Sequence, residues 1–239
     1  MSIGLSLFVS QAALCTGSPD PLPVPLKSFD ATYRIRVGGI NVGELTRELR
    51  IETNQKYSFR SVSKAAGLAA LFSTNKTEEI ATGKFTESAI RPNHYSRVRD
   101  KKGKKRRETV YFDYAKSQVN TTRKGVETVN EFSGLAFDPL SYQLQLMTDL
   151  NRNSEQLQYT VHAPKKTKRY SASRGAVEKI ETPIGTFVAV EIQEQTNADK
   201  KTTFWCAVDL GFLPVRVLIT DGDERTLIEL AKHNYLPDE

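Results

Sequence analysis

Cysteine is nearly absent from this sequence: Cys15 and Cys206 are its two examples. A disulfide scaffold is excluded on that count, and so is a CxxC redox or zinc-ribbon site. Histidine is almost as scarce. His94, His162 and His233 lie far apart, and none stands in an HExxH spacing that would seat a metal on one helix face. There is no GxSxG elbow, no phosphate-cradling GxxxxGK(S/T) and no GxGxxG turn. Beyond the N-terminal segment no apolar run reaches the ~18–20 residues that a membrane-crossing helix needs. Motifs therefore point to no catalytic residue, no metal and no cofactor. Paired carboxylates such as Glu78-Glu79 do not repair this, because neighbours on a strand face opposite sides.

What is present is charge in one place. The chain carries a net +6, and residues 99–107, RDKKGKKRR, hold seven basic groups against one acid. The knot thus accounts for the whole excess, and the remainder is neutral. A nucleic-acid binder spreads its basic residues along a face or helix, so a single knot argues against nucleic acid. It lies between two strand-like runs, HYSRVR and RRETVYFDYA, with Gly103 at its centre, which is a hairpin signature. The first reading is a solvated tip that discourages edge pairing. The second is that Lys101, Lys102, Lys104, Lys105, Arg106 and Arg107 contact a polyanion such as phospholipid or lipopolysaccharide.

The opening MSIGLSLFVSQAALCTGSPDPLPVP sets an apolar stretch, Ile3 to Cys15, before small residues and a Pro-rich run. That order is expected of a secretory signal over 1–18 and an extended linker over 19–28. No Lys or Arg precedes the apolar stretch, so the basic n-region of a signal is missing. Alternatives are a short buried helix or a disordered tail. Leu14 stands where a lipidation motif wants a small residue, which weakens a lipidated Cys15. Export places the protein in the periplasm, with outer-membrane association as an extension of that reading. If the signal is removed, Cys206 is alone, within TTFWCAVDL, and is expected to be a small buried hydrophobe.

From residue 29 the rhythm is mostly period two. Phe29, Ala31, Tyr33, Ile35 and Val37 share one face of FDATYRIRV, and Gly38-Gly39 turns the chain into INVGELTRELRI. AAGLAALFST breaks the pattern and reads as a short helix or lid-like loop. Pro92 argues against a central, fully paired strand around IRPNHYSRVRD. The clearest helix is FDPLSYQLQLMTDLNRN, from Phe137, with Asp138 at the N-cap, Pro139 at the first turn, and Leu140, Leu144, Met147 and Leu150 on one stripe. Turn signals about every 8–12 residues favour an all-β fold. The expected architecture is one β-rich domain over 29–239, an antiparallel β-sandwich or open barrel with one amphipathic helix packed on a sheet.

Four stretches together resemble a bacterial family described as domain of unknown function 3108. They are YRIRVGGINVGEL (33–45), FDPLSYQLQ (137–145), TPIGTFVAVEI (182–192) and WCAVDLGFLPVRVLI (205–219). The resemblance implies an exported, β-rich envelope protein of a Gram-negative bacterium, and supplies no catalytic residue. The functional expectation is a non-enzymatic envelope protein binding a lipid, a polysaccharide or a protein partner in or over a sheet cavity, with Leu68, Leu71, Phe72, Leu144, Met147 and Trp205 as candidate wall. The alternatives are an envelope polysaccharide hydrolase, which needs two carboxylates or a His–carboxylate pair in one cleft, and a polyanion-binding module using the basic tip.

Overall fold

In the first strand the period-two pattern is obeyed: Phe29, Ala31 and Tyr33 are buried, while Asp30 and Thr32 between them face partly outward. The computed structural model describes residues 26–71, 73–195 and 200–236. The expected signal, Cys15 and most of the linker lie outside these residues. A first meander runs through β1 (Phe29–Val37), β2 (Ile40–Ile51), β3 (Lys56–Ala65), β4 (Lys76–Phe85), β5 (Ile90–Lys101), β6 (Lys104–Asp113), β7 (Gln118–Arg123) and β8 (Val126–Glu131). The chain crosses over through α1 (Ser141–Asn151). It then returns as β9 (Leu157–His162), β10 (Thr167–Thr182), β11 (Gly185–Gln195), β12 (Lys200–Ala207), β13 (Leu213–Asp221) and β14 (Glu224–Tyr235).

Among the described residues these strands form one antiparallel sheet, with β8 and β9 at its two edges and β1 beside β14 at its centre. Of the two expected architectures, a single continuous sheet with unjoined edges is the open barrel. Its curvature is read from α1, which touches distant strands at once. Arg47 of β2 donates to Gln143 at 2.5 Å, and the Ile90 amide of β5 donates to Gln145 at 2.8 Å. Tyr159 of β9 donates to Asp149, and Arg174 of β10 donates to Asn153 just beyond the helix. A flat sheet could not reach one short helix from all these places.

The N-cap of α1 is Leu140, two residues later than the expected Asp138, and the turn from Asp138 leads the chain into it. The Asp138 carbonyl accepts from the Tyr142 amide, and its Oδ1 accepts from the Leu140 and Ser141 amides at 2.8 and 3.0 Å. Ser141 Oγ accepts from the Asp138 amide in return. The regular turns begin at Ser141. Leu140, Leu144, Met147 and Leu150 are all buried against the concave face, each burial contributing about 1.5–3 kcal/mol. The gap between the sheet edges is filled by rings. Phe112, Phe132 and His162 meet at centroid distances of 6.2 to 6.4 Å, and Phe137 bridges to β9 through its own N–H and C=O.

Pro92 departs from expectation. β5 is a central strand, paired with β4 and β6. The pairing to β6 begins only at His94, so the missing N–H of Pro92 costs no ladder bond on that side. On the other side the register slips between Thr82 and Gly83. Gly83 makes this bulge possible: a Cβ there would stand 2.3 Å from the Arg91 carbonyl oxygen and 2.8 Å from the Pro92 Cα.

Candidate functional site

Two successive rows of the inner face build a cleft beside α1. Register places Ile228, Val217, Phe204 and Ile192 side by side across β14, β13, β12 and β11. The next row sets Ile219, Thr202 and Glu194 together. Leu45 of β2 and Tyr142 and Gln143 of α1 complete a cleft of about 220 Å³ with a largely apolar floor. Tyr142 stacks on Tyr170 at 5.3 Å and 12°, forming part of one wall.

Charge enters this cleft at defined points. Arg47 extends between Tyr33 and Phe59, its guanidinium 5.9 Å from each ring centroid. The Arg47 Nε and the Tyr33 hydroxyl are both buried without a hydrogen-bond partner among the described residues. Lys168 lies 5.6 Å from the Tyr170 ring, and Lys200 is bonded to Asp221 at 2.7 Å. Glu194 is the cleft's one carboxylate and is 4 % exposed. Burial pushes its carboxyl up to about 7, and the Lys168 ammonium only partly counters this. The cleft thus joins an apolar floor to two unsatisfied donors and an acid that titrates near neutrality.

Sequence reasoning missed Arg47 and Glu194, but a signal for both was present. Leu45, Arg47 and Leu49 share a strand face, as do Val190, Ile192 and Glu194. A charge within an apolar register is the informative exception. Of the residues expected to form the wall, the three whose side chains are described, Leu144, Met147 and Trp205, are not brought together. Leu144 and Met147 are core, at 0 % and 3 % exposure. Trp205 stands on the face opposite to Phe204 and donates through Nε1 to Glu178 at 2.7 Å. The side chains of Leu68 and Leu71, and Phe72 as a whole, lie outside the described residues. Cys206 is fully buried, as expected of a small hydrophobe, and burial pushes its thiol up.

The basic knot is a hairpin between β5 and β6. Lys102 and Gly103 form its two-residue turn with φ of +53° and +82°, the paired positive values that a tight right-twisted hairpin needs. Asp100 Oδ1 accepts from the Gly103 amide at 2.9 Å. Lys101, Lys102, Lys104 and Lys105 are exposed at the tip. Arg106 and Arg107 are separated from them in role: they line a second cleft, of about 520 Å³, with Arg99, Glu108, Arg123 and Lys124. A third cleft lies by the β4 bulge, where Arg91 covers the Tyr114 ring and Tyr57 is a neighbour.

A hydrolytic pair is not assembled in any of the three. Each has one carboxylate and no histidine: Glu194, Glu108 and Glu52 respectively. Asp138 is fully buried and pushed up to about 6 by that burial, but it is engaged in the turn that leads into α1. His162 Nδ1 meets Thr167 Oγ1, and its ring is packed among Phe112 and Phe132. Groups of three or more metal-binding side chains are absent among the described residues. No helix among them is long and apolar enough to cross a membrane.

No curated protein matches the chain in sequence. In structure it is similar to a β-barrel-like protein of the domain of unknown function DUF1849 from Brucella abortus, with 13% identity and a TM-score of 0.58, covering 90% of this chain and 100% of that one. More distantly it is similar to MucB, with 9% identity and a TM-score of 0.36 over 89% of this chain and 55% of MucB. A Bacteroides fragilis protein with a YmcC-like fold stands at 10% identity and a TM-score of 0.36, over 87% and 96% of the two chains. Residues 32–227, which contain α1 and nearly all of the sheet, match the family described as protein of unknown function DUF3108, and the chain belongs to that family.

Proposed function

We propose that this is a non-enzymatic cell-envelope protein of the periplasm that binds an amphipathic, lipid-like ligand in the cleft between α1 and the inner face of β11–β14. The observation that carries the reading is the pair of buried donors, Arg47 Nε and Tyr33 OH, on residues that line a cleft whose floor is Leu45, Phe204, Val217 and Ile228. A buried donor without an acceptor costs about 1–3 kcal/mol, and an anionic or carbonyl head group of a ligand would relieve it. The apolar floor suits the chain of the same molecule. At about 220 Å³ the cleft holds one end of a ligand and leaves the rest outside. With one carboxylate and no histidine it offers binding groups without an acid–base pair. The apolar segment Ile3 to Cys15 supports export.

The test is native mass spectrometry on protein purified from the periplasmic fraction, followed by organic extraction. The expected result is a discrete adduct that extracts as lipid, and that is lost in Leu45→Glu protein whose circular dichroism is unchanged. An intact mass beginning near residue 18 would support cleavage and export. Protein recovered only from the cytoplasm, or an extract without lipid, would overturn the reading.

A further inference from the structure

The 520 Å³ cleft beside the hairpin is made by a row of like charges that the sheet register itself creates. Tyr95 stands opposite Val110, then Arg97 opposite Glu108, then Arg99 opposite Arg106, each pair on the core-facing side of β5 and β6. Tyr95 and Val110 are fully buried, so the row climbs out of the core towards the tip. The next strand adds Arg123 opposite Glu108.

Glu108 cannot neutralise this row. Its carboxylate already accepts from Arg97 Nε at 3.0 Å and from Arg123 Nε at 3.1 Å. Burial raises its pKa, but the guanidinium groups of Arg97, Arg99 and Arg123 outweigh that and hold it below the usual range. Arg99 and Arg106 remain directly opposite each other, joined to no acid among the described residues. Like charges at such positions repel and destabilise the sheet. Arg107 and Lys124 add two more cations to the lining. The lining holds five cations and one committed carboxylate.

We infer that this cleft is an anion site, separate from the cleft beside α1, and that it takes a phosphate-type group of two or more negative charges. Guanidinium forks meet phosphate oxygens with paired, charge-assisted hydrogen bonds, which ammonium groups on flexible tip lysines do not reproduce. The tip lysines serve as a solvated turn, and the binding groups are Arg99, Arg106 and Arg123. Phosphate of this kind occurs in a lipid head group and as a soluble anion, and the cleft chemistry is the same for both.

The experiment titrates the full chain with inorganic pyrophosphate by calorimetry, and in parallel with phosphatidylcholine vesicles doped with phosphatidic acid. Two variants are compared, R99Q/R106Q and K101S/K102S/K104S/K105S. The arginine variant is expected to lose about tenfold or more in affinity, and the lysine variant to stay within about threefold. Pyrophosphate should raise the melting temperature of the wild type and not that of R99Q/R106Q, which itself should melt no lower than wild type because the opposed charges are gone. Arginine-dependent binding to vesicles alone assigns the site to a lipid head group, and to pyrophosphate alone, to a soluble anion; either supports the inference. Equal loss in the two variants would mean diffuse attraction to surface charge and would overturn it, as would no binding in both arms.

Discussion

Replacing Glu194 by glutamine keeps the shape of the cleft beside α1 and removes its one carboxylate. In an unfolded chain a glutamate titrates near 4.3. In the folded protein burial raises Glu194 to about 7. Between those values the unfolded chain has released the proton while the folded chain retains it. Unfolding therefore releases a proton, and each pH unit removes about 1.36 kcal/mol of stability. From pH 5 to pH 8 the loss is about 2–3 kcal/mol, its slope halved at about pH 7 and nearly flat by about pH 8. Asp138, raised to about 6, acts with the same sign in a lower window and is unchanged by the substitution. The E194Q protein should thus gain on wild type by about 2–3 kcal/mol between pH 5 and pH 8, roughly 5–10 °C in melting temperature for a domain of this size. Urea unfolding followed by the fluorescence of Trp205, the single tryptophan, at steps between those pH values measures it. Parallel stability curves for the two proteins would refute the reasoning, since they would mean that Glu194 is not desolvated.

Gly83→Ala should cost about 1–3 kcal/mol or more, because the new methyl meets backbone atoms of Arg91 and Pro92 that cannot rotate away; thermal melts check it. Glu108→Gln should destabilise by about 1–3 kcal/mol at neutral pH by leaving the Arg97 and Arg123 guanidinium groups without their counter-charge. The folded carboxylate is held low, so its contribution is present above about pH 4.3 and lost as pH falls further. Acid titration of the variant should lack that part of the wild-type loss.

Much of the fold was legible because it is local. Alternation marked the strands, Gly38-Gly39 and Gly103 marked hairpins, and Asp138 marked the turn that leads into α1, although the N-cap itself is Leu140. These features depend on neighbours within a few residues. The centrality of β5 was not legible: the tolerance of Pro92 rests on Gly83, across a bulge in another strand. The candidate sites were legible only in fragments. Arg99, Arg106 and Arg107 belong to the visible knot, but Arg123 joins them through the register of β7 on β6. Trp205 was expected in the wall, yet strand alternation beside buried Phe204 turns it outward. Arg47 and Glu194 line one cleft because β2 and β11 belong to the same curved sheet beside α1, a juxtaposition that no window of sequence contains.

The pairing of β1 with β14 has a consequence in time. Phe29 waits for Tyr235, roughly 200 residues later in the chain. At synthesis rates of ~5–20 residues per second that is about 10–40 s. Through this interval β2 can occupy one side of β1, while the other side shows a row of unpaired N–H and C=O groups, the template on which strands of other chains add. A strand at the centre of the finished sheet is thus an open edge of the nascent one. Arg34 and Arg36, set within β1, place charge along that edge and make it a poorer template for a foreign strand. Among the described residues β14 is the last strand to be made, and its pairing closes the edge that synthesis left open.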